Sequence, residues 1–261
     1  MLPYWLDRPA EEAVDIASAA ADAGFTRLWV GEMATFDAFA LATAVGLRAP
    51  KLRLVVGPLA LGVRSPVALA LGASSVATLT GSSVDIALGA SSPAIVTGWH
   101  DRPWDHLSGR MEETVAALRA LWRQERAEYH GEFIDFDPVW CSPQPLQPGG
   151  PPIVFGVMGR TGIRHAAQWA DGWMPVDFAL ADLELAITRF RAELERAGRD
   201  PAAVQISLVA MKTPDFDTLK RYRDLGIHRV NVGVAVDLWD KPEAIMPMID
   251  RFAKLIPDLA D

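Results

Sequence analysis

The feature that most constrains this chain is a regular alternation of short apolar runs with longer amphipathic stretches. Strand-like runs occur at Leu2–Leu6, Arg27–Gly31, Leu52–Gly57, Val84–Gly89, Pro152–Phe155, near Trp173, at Val204–Ala210 and at Ile227–Val232. Several are almost continuously apolar, as RLWVG, LRLVVG and VDIALG show. That is the pattern of parallel strands covered on both faces. A helical stretch follows each run: Pro9 to about Ala23, Phe36–Arg48, Ser65–Leu79, Gly109–Glu125, Ile163–Ala170, Leu180–Ala197, Phe216–Leu225 and Pro242–Ile256. Ser65-Pro66 reads as an N-cap with proline at the first helical position, and Gly24 and Gly198 as stops. Tyr129–Phe136 alternates like a small hairpin, and Asp137–Pro152 is a loop with six prolines in sixteen residues. Eight such units in 261 residues match a (β/α)8 TIM barrel, whereas an open doubly wound sheet rarely needs so many. No linker divides the chain, so one α/β domain over residues 1–261 is expected.

Half the residues are hydrophobic, enough for a large core, and the formal net charge is −8. That charge argues against nucleic acid or an anionic membrane as partner, although a local basic site for a phosphate stays open. The single cysteine, Cys141, leaves no internal disulfide and fits a reducing cytoplasm. It lies in the proline-rich loop and reads as structural. The start, MLPYWLDRPAEEAV, lacks the basic region and apolar run of a secretory signal. The longest apolar candidate, Val67–Ile86, is broken by Gly72, Gly81 and Asp85. A soluble cytoplasmic protein is expected.

The stretch Pro151–Trp173 carries the clearest chemical signal. It reads as strand, glycine-rich turn (Gly156-Val-Met-Gly-Arg-Thr-Gly162), helix and strand. Backbone N–H groups at such a turn and the positive end of the helix behind it suit a phosphate. Arg160 adds a charge and Thr161 a hydroxyl. The alternative is a tight βα turn with Arg160 in solvent. The spacing G-x-x-G-x-x-G departs from the dinucleotide fingerprint, so a Rossmann site is not supported.

A second dense stretch is Thr97–His106, with two Trp, two His, two Asp and one Arg after the Val84–Gly89 strand. His100 is a candidate acid, because imidazole titrates near neutrality. Trp99 and Trp104 would wall a pocket. The competing reading is a surface loop whose tryptophans cover an edge or a dimer contact. His100 and His106 lack the further ligands a metal needs, so no metal is expected. His130, His165 and His228 read as structural.

Several segments, in order, resemble the bacterial luciferase-like superfamily. They are Gly24–Glu32, Lys51–Val56 with Arg64-Ser-Pro66, Gly109–Glu113 with Leu118–Trp122, His130–Phe133, Pro143–Pro148 with Pro151–Ile153, and Ala170–Trp173. The set is most similar to the branch that uses the deazaflavin coenzyme F420. The resemblance implies a TIM-barrel oxidoreductase that moves a hydride between C5 of the deazaflavin and a small organic substrate. It implies a strand-end bulge with a cis peptide behind the ring, here Gly57–Pro58, which proline makes inexpensive. It also implies that Gly156, Met158, Gly159, Arg160 and Thr161 hold the cofactor's phosphate. Ser91 and Ser92 would hydrogen-bond the cofactor, and Glu32 and His100 would handle the proton.

Alcohol-oxidising relatives carry a histidine after the acid at this point. This chain has Glu32-Met33, which favours reduction of an activated C=C or C=N bond. A capping role for Glu32 is the alternative. The runner-up function is an FMN-dependent luciferase-like monooxygenase. A non-catalytic, flavin-binding barrel is a third reading, since the chain is short for the family and its pocket-covering insertion reduced. A homodimer is expected from the resemblance alone.

Overall fold

The computed structural model describes residues 9–32, 36–234, 236–238 and 241–259. The strands are β1 (Arg27–Val30), β2 (Arg53–Ala60), β3 (Val84–Gly89), β4 (Ala127–His130), β5 (Asp135–Val139), β6 (Ile153–Phe155), β7 (Gly172–Trp173), β8 (Gln205–Ala210) and β9 (Arg229–Val232). Seven form one parallel sheet in the order β1-β2-β3-β6-β7-β8-β9, which curls into a nearly closed barrel. The expected strand at Leu2–Leu6 lies outside the described residues. β4 and β5 form the expected antiparallel hairpin.

The helices are α1 (Ala10–Asp22), α2 (Ala38–Arg48), α3 (Pro66–Thr80), α4 (Pro93–Val96), α5 (Leu107–Arg123), α6 (Gly159–Trp169), α7 (Leu183–Arg196), α8 (Phe216–Asp224), α9 (Ile245–Ala253) and α10 (Ile256–Leu259). None of the described helices is long and apolar enough to cross a membrane.

Local chemistry sets the helix ends. The Ser65 hydroxyl accepts from Ala68 N at 3.2 Å, with Pro66 at the first helical position as expected. α2 starts two residues later than the sequence suggests, because the Asp37 carboxylate caps it by accepting from Phe39 N and Ala40 N, both at 3.0 Å. α6 starts four residues earlier than expected, so Gly159–Gly162 belong to its first turn and the connecting loop is only Gly156–Met158. The stretch expected as one last helix divides into a short 3-10 turn (Pro242–Ala244), α9 and α10.

Alternation along the strands separates two apolar layers. Leu28, Val30, Leu54, Val56, Ile86, Leu88, Ile153 and Phe155 pack outward in the main core under the helices. Trp29, Val55, Ala87, Val154, Met174, Val209 and Met211 pack together as a second cluster inside the barrel.

The β4–β5 hairpin is tied to α5 by one carboxylate. Glu113 accepts from Glu132 N at 2.9 Å and from Phe133 N and Ile134 N at 2.8 Å. Burial pushes this carboxyl up. The three backbone bonds, helped by Arg110, outweigh it and hold it below the usual carboxylate range. A lowered folded pKa stabilises the fold above the unfolded value and loses that contribution as pH falls through the folded one. Glu113→Gln is therefore expected to lower the melting temperature by about 2–4 °C at neutral pH. The gap from the parent should close as pH falls below roughly 4; thermal melts at neutral and acid pH check this.

Candidate functional site

A cavity of about 650 Å3 opens at the C-terminal ends of β1, β2, β3 and β6, within the range of small-molecule sites and at the end of the barrel where such sites lie. Of the residues singled out in the sequence, Glu32, Pro58, Ser91, His100, Gly156, Met158 and Thr161 line it. Gly57, Ser92, Gly159 and Arg160 are sequence neighbours of that lining and are not part of it.

The floor depends on glycine. Gly57 adopts φ +122°, and a Cβ there would overlap Ala87 O and come within 2.6 Å of Leu59 N. The β2–β3 register shifts between Val56 and Leu59, so a bulge lies here, and the Gly57–Pro58 peptide is cis, as the family resemblance implies. Pro58 reaches across to β6. A Cβ on Gly156 would sit 2.8 Å from Pro58 Cγ and 3.0 Å from Met174 Cε, and one on Gly89 would sit 3.2 Å from Pro58 Cβ.

The wall beside Gly156 is the loop into α6. Buried Trp173 packs on Phe190 with ring centroids 4.7 Å apart and donates its Nε1–H to Val157 O at 2.9 Å, fixing the loop from below. Gly162 allows the first turn of α6 to close on Val157, whose Cβ would be 2.9 Å from an added one. Met158 is the N-cap residue and makes no side-chain capping bond, and no acid stands in the first turn. The first N–H groups of α6 thus lack a side-chain cap, with exposed Arg160 next to them.

Glu32 occupies the opposite wall, bound to its neighbours. Its Oε1 accepts from Arg64 Nη2 and from Ala38 N, the latter at 3.2 Å. Arg64 also binds Asp37 Oδ2 at 2.7 Å and lies over the Phe39 ring, 5.3 Å from its centroid. Burial pushes the Arg64 pKa down, but the bonds from Glu32 and Asp37 win and leave it raised. The carboxylate is therefore fixed in orientation and paired with a permanent cation.

The loop after β3 divides in two. Trp99 and His100 line the cavity and are exposed. Trp104 does not line it; its Nε1–H donates to Ala90 O at 2.9 Å and straps the loop to the end of β3. His106 stacks on Phe133 at 5.2 Å, away from His100's wall. No group of three or more His, Cys, Asp or Glu among the described residues is placed to hold a metal.

His165, expected from the sequence to be structural, is also part of the site. It lines the cavity and stacks on Trp169 at 4.6 Å. Burial, helped by Arg164, pulls its pKa below the usual imidazole value. The signal was its position four residues after Thr161, one turn along the same helical face.

Comparisons with known proteins agree with this architecture. Residues 5–215 match the family model described as luciferase-like monooxygenase. An uncharacterized protein of Mycobacterium tuberculosis is 30% identical over 200 residues, covering 77% of this chain and 68% of the relative. A second protein of that organism, whose name proposes a coenzyme F420-dependent oxidoreductase, is 27% identical over 190 residues, covering 68% of this chain and 54% of the relative. Among solved structures, an F420-dependent secondary alcohol dehydrogenase in complex with an F420–acetone adduct superposes with a TM-score of 0.80 at 16% identity, covering 97% of this chain and 96% of that one. At that identity the likeness concerns the fold.

Proposed function

The chain belongs to the luciferase-like monooxygenase family, and from that membership we propose that it is a coenzyme F420-dependent oxidoreductase acting on a small organic substrate. The observation that carries this reading is the cavity itself. It joins a glycine-and-proline floor to a helix N-terminus that has no side-chain cap and carries Arg160. A flat ring needs the first and a phosphate the second. The relative named for F420 and the F420-dependent fold neighbour support the choice of cofactor.

When bound, the deazaflavin would supply hydride transfer at C5 of its ring. In this reading Pro58 and Gly156 form the surface beneath the ring, and Gly57 keeps Pro58 in place. Gly156, Met158, Gly159, Arg160 and Thr161 hold the phosphate, Arg160 by charge and Thr161 by its hydroxyl. Ser91, on the cavity wall, and Ser92 hydrogen-bond the cofactor. His100 holds the proton at the cavity rim, and Glu32, fixed by Arg64, orients a donor group beside the ring. Reduction of an activated C=C or C=N bond is the favoured chemistry, because Met33 stands where alcohol-oxidising relatives carry a histidine. The partners are the small substrate and a second copy of the chain.

Arg160→Ala tests the phosphate assignment. A lost charge-assisted bond to phosphate is worth about 1.5–3 kcal/mol, so F420 should bind roughly 10- to 100-fold more weakly with the melting temperature unchanged. Equal affinity in the variant would remove Arg160 from the site. The alternative, an FMN-dependent monooxygenase on the same barrel, is favoured by the family's own description. It predicts a yellow protein that consumes oxygen with reduced flavin. A barrel without catalysis predicts turnover with neither cofactor.

A further inference from the structure

The opposite end of the barrel holds a second, unrelated constellation. Where β1, β2, β3, β8 and β9 begin, polar and charged side chains stand in place of most of the branched aliphatic residues that usually fill such a layer, with Val154 the branched aliphatic among the described lining. A cavity of about 40 Å3 is lined there by Arg27, Arg53, Asp85, Gln205, Ser207 and Arg229. Strand register brings these together: Arg27 pairs with Arg53 across β1–β2, and Ser207 with Arg229 across β8–β9.

Among the described residues the charges there do not balance. Asp85, 5% exposed, accepts from Arg27 Nη1 at 2.5 Å and from Arg53 Nε at 2.9 Å, so one carboxylate answers two guanidinium groups. Arg229 brings a third and donates to the neutral Gln205 Oε1. The other acid on this cavity, Asp171, is engaged by Arg119 at 3.0 Å and by Ile153 N at 2.9 Å. Local charge is therefore positive inside a chain whose net charge is −8. Trp29 also lines the cavity, and its Nε1–H is a buried donor with no acceptor among the described residues. Buried donors lacking acceptors beside surplus cations describe an anion site. Burial pulls the Arg27 and Arg229 pKa values down and the neighbouring arginines add to it, while Asp85 offsets only part of this.

We propose that this N-terminal mouth of the barrel binds one inorganic phosphate ion among Arg27, Arg53, Arg229, the Ser207 hydroxyl and Trp29 Nε1. The volume is roughly that of a few waters, which admits a free ion and excludes a cofactor tail. The ion joins β1, β2 and β9 through a shared partner and stabilises the barrel base. This site is separate from the cleft at the other end and does not depend on which cofactor binds there.

The experiment is a calorimetric titration with inorganic phosphate in the Arg160→Ala background, at ionic strength fixed with sodium chloride. That background removes the charged member of the phosphate-holding set in the cofactor cleft. One saturable phosphate per chain is expected, weakened about tenfold or more by Arg229→Gln and several-fold by Ser207→Ala. Ser207→Ala keeps every charge, so it carries the test if Arg229→Gln fails to fold. No saturable binding, or the same affinity in both variants, overturns the assignment.

Discussion

Replacing Asp85 with alanine is expected to cost about 3–5 kcal/mol of folding free energy, the range for removing one partner of a buried charge cluster. Asp85 is 5% exposed and takes both of its short bonds from arginines at the first residues of β1 and β2, so it joins the starts of β1, β2 and β3. Without it three guanidinium groups share a small cavity with no carboxylate among its described lining except Asp171, which Arg119 already engages. Arg53 is 30% exposed and Arg27 18%, so solvent screens part of that repulsion and the lower half of the range is expected. Most domains are stable by only 5–15 kcal/mol, so the variant should unfold at a much lower urea concentration. Asp85→Asn, which keeps an acceptor but not the charge, should fall between the variant and the parent. A cost below about 1 kcal/mol for Asp85→Ala would show that Asp85 does not hold the base together.

Gly57→Ala is expected to cost a similar amount, about 3–5 kcal/mol, for a different reason. At φ +122° an L-residue pays backbone strain of order 1–3 kcal/mol. Its Cβ would also collide with Ala87 O and Leu59 N, which are backbone atoms of paired strands and cannot rotate away. Relief requires the bulge to shift, which moves Pro58 and the cavity floor. Stability and cofactor affinity should therefore fall together. Gly62→Ala is the matched control: φ is +81° there and nothing lies within 4 Å of the added carbon. It should cost about 1–2 kcal/mol and leave cofactor binding unchanged. Equal losses at both positions would mean that left-handed strain alone, and no close approach, makes Gly57 necessary.

Much of this fold was legible because parallel strands are buried on both faces. The uninterrupted runs in β1, β2 and β3 need no partner to be recognised. Helix starts were legible where a side chain announces them, as at Ser65, and were displaced where another capped instead, as at Asp37. The start of α6 escaped because Gly159 and Gly162 have poor helix propensity. The first turn tolerates them, and Gly162 must be small to meet Val157. At the cleft, local sequence identified the glycine loop and the loop after β3, since each is contiguous. The pairing of Glu32 with Arg64, 32 residues away, was invisible because it depends on where β2 ends. The arginine layer at the base was hidden for the same reason. Each strand shows only one charge at its start, and the strand register gathers them.

The most direct test of the central claim is a parallel fluorescence titration of the purified chain with F420 and with FMN. Saturable, micromolar binding of F420 and much weaker binding of FMN are expected. Tight binding of FMN alone would transfer the cleft to the monooxygenase reading, and binding of neither would contradict the assignment of this cavity to a deazaflavin.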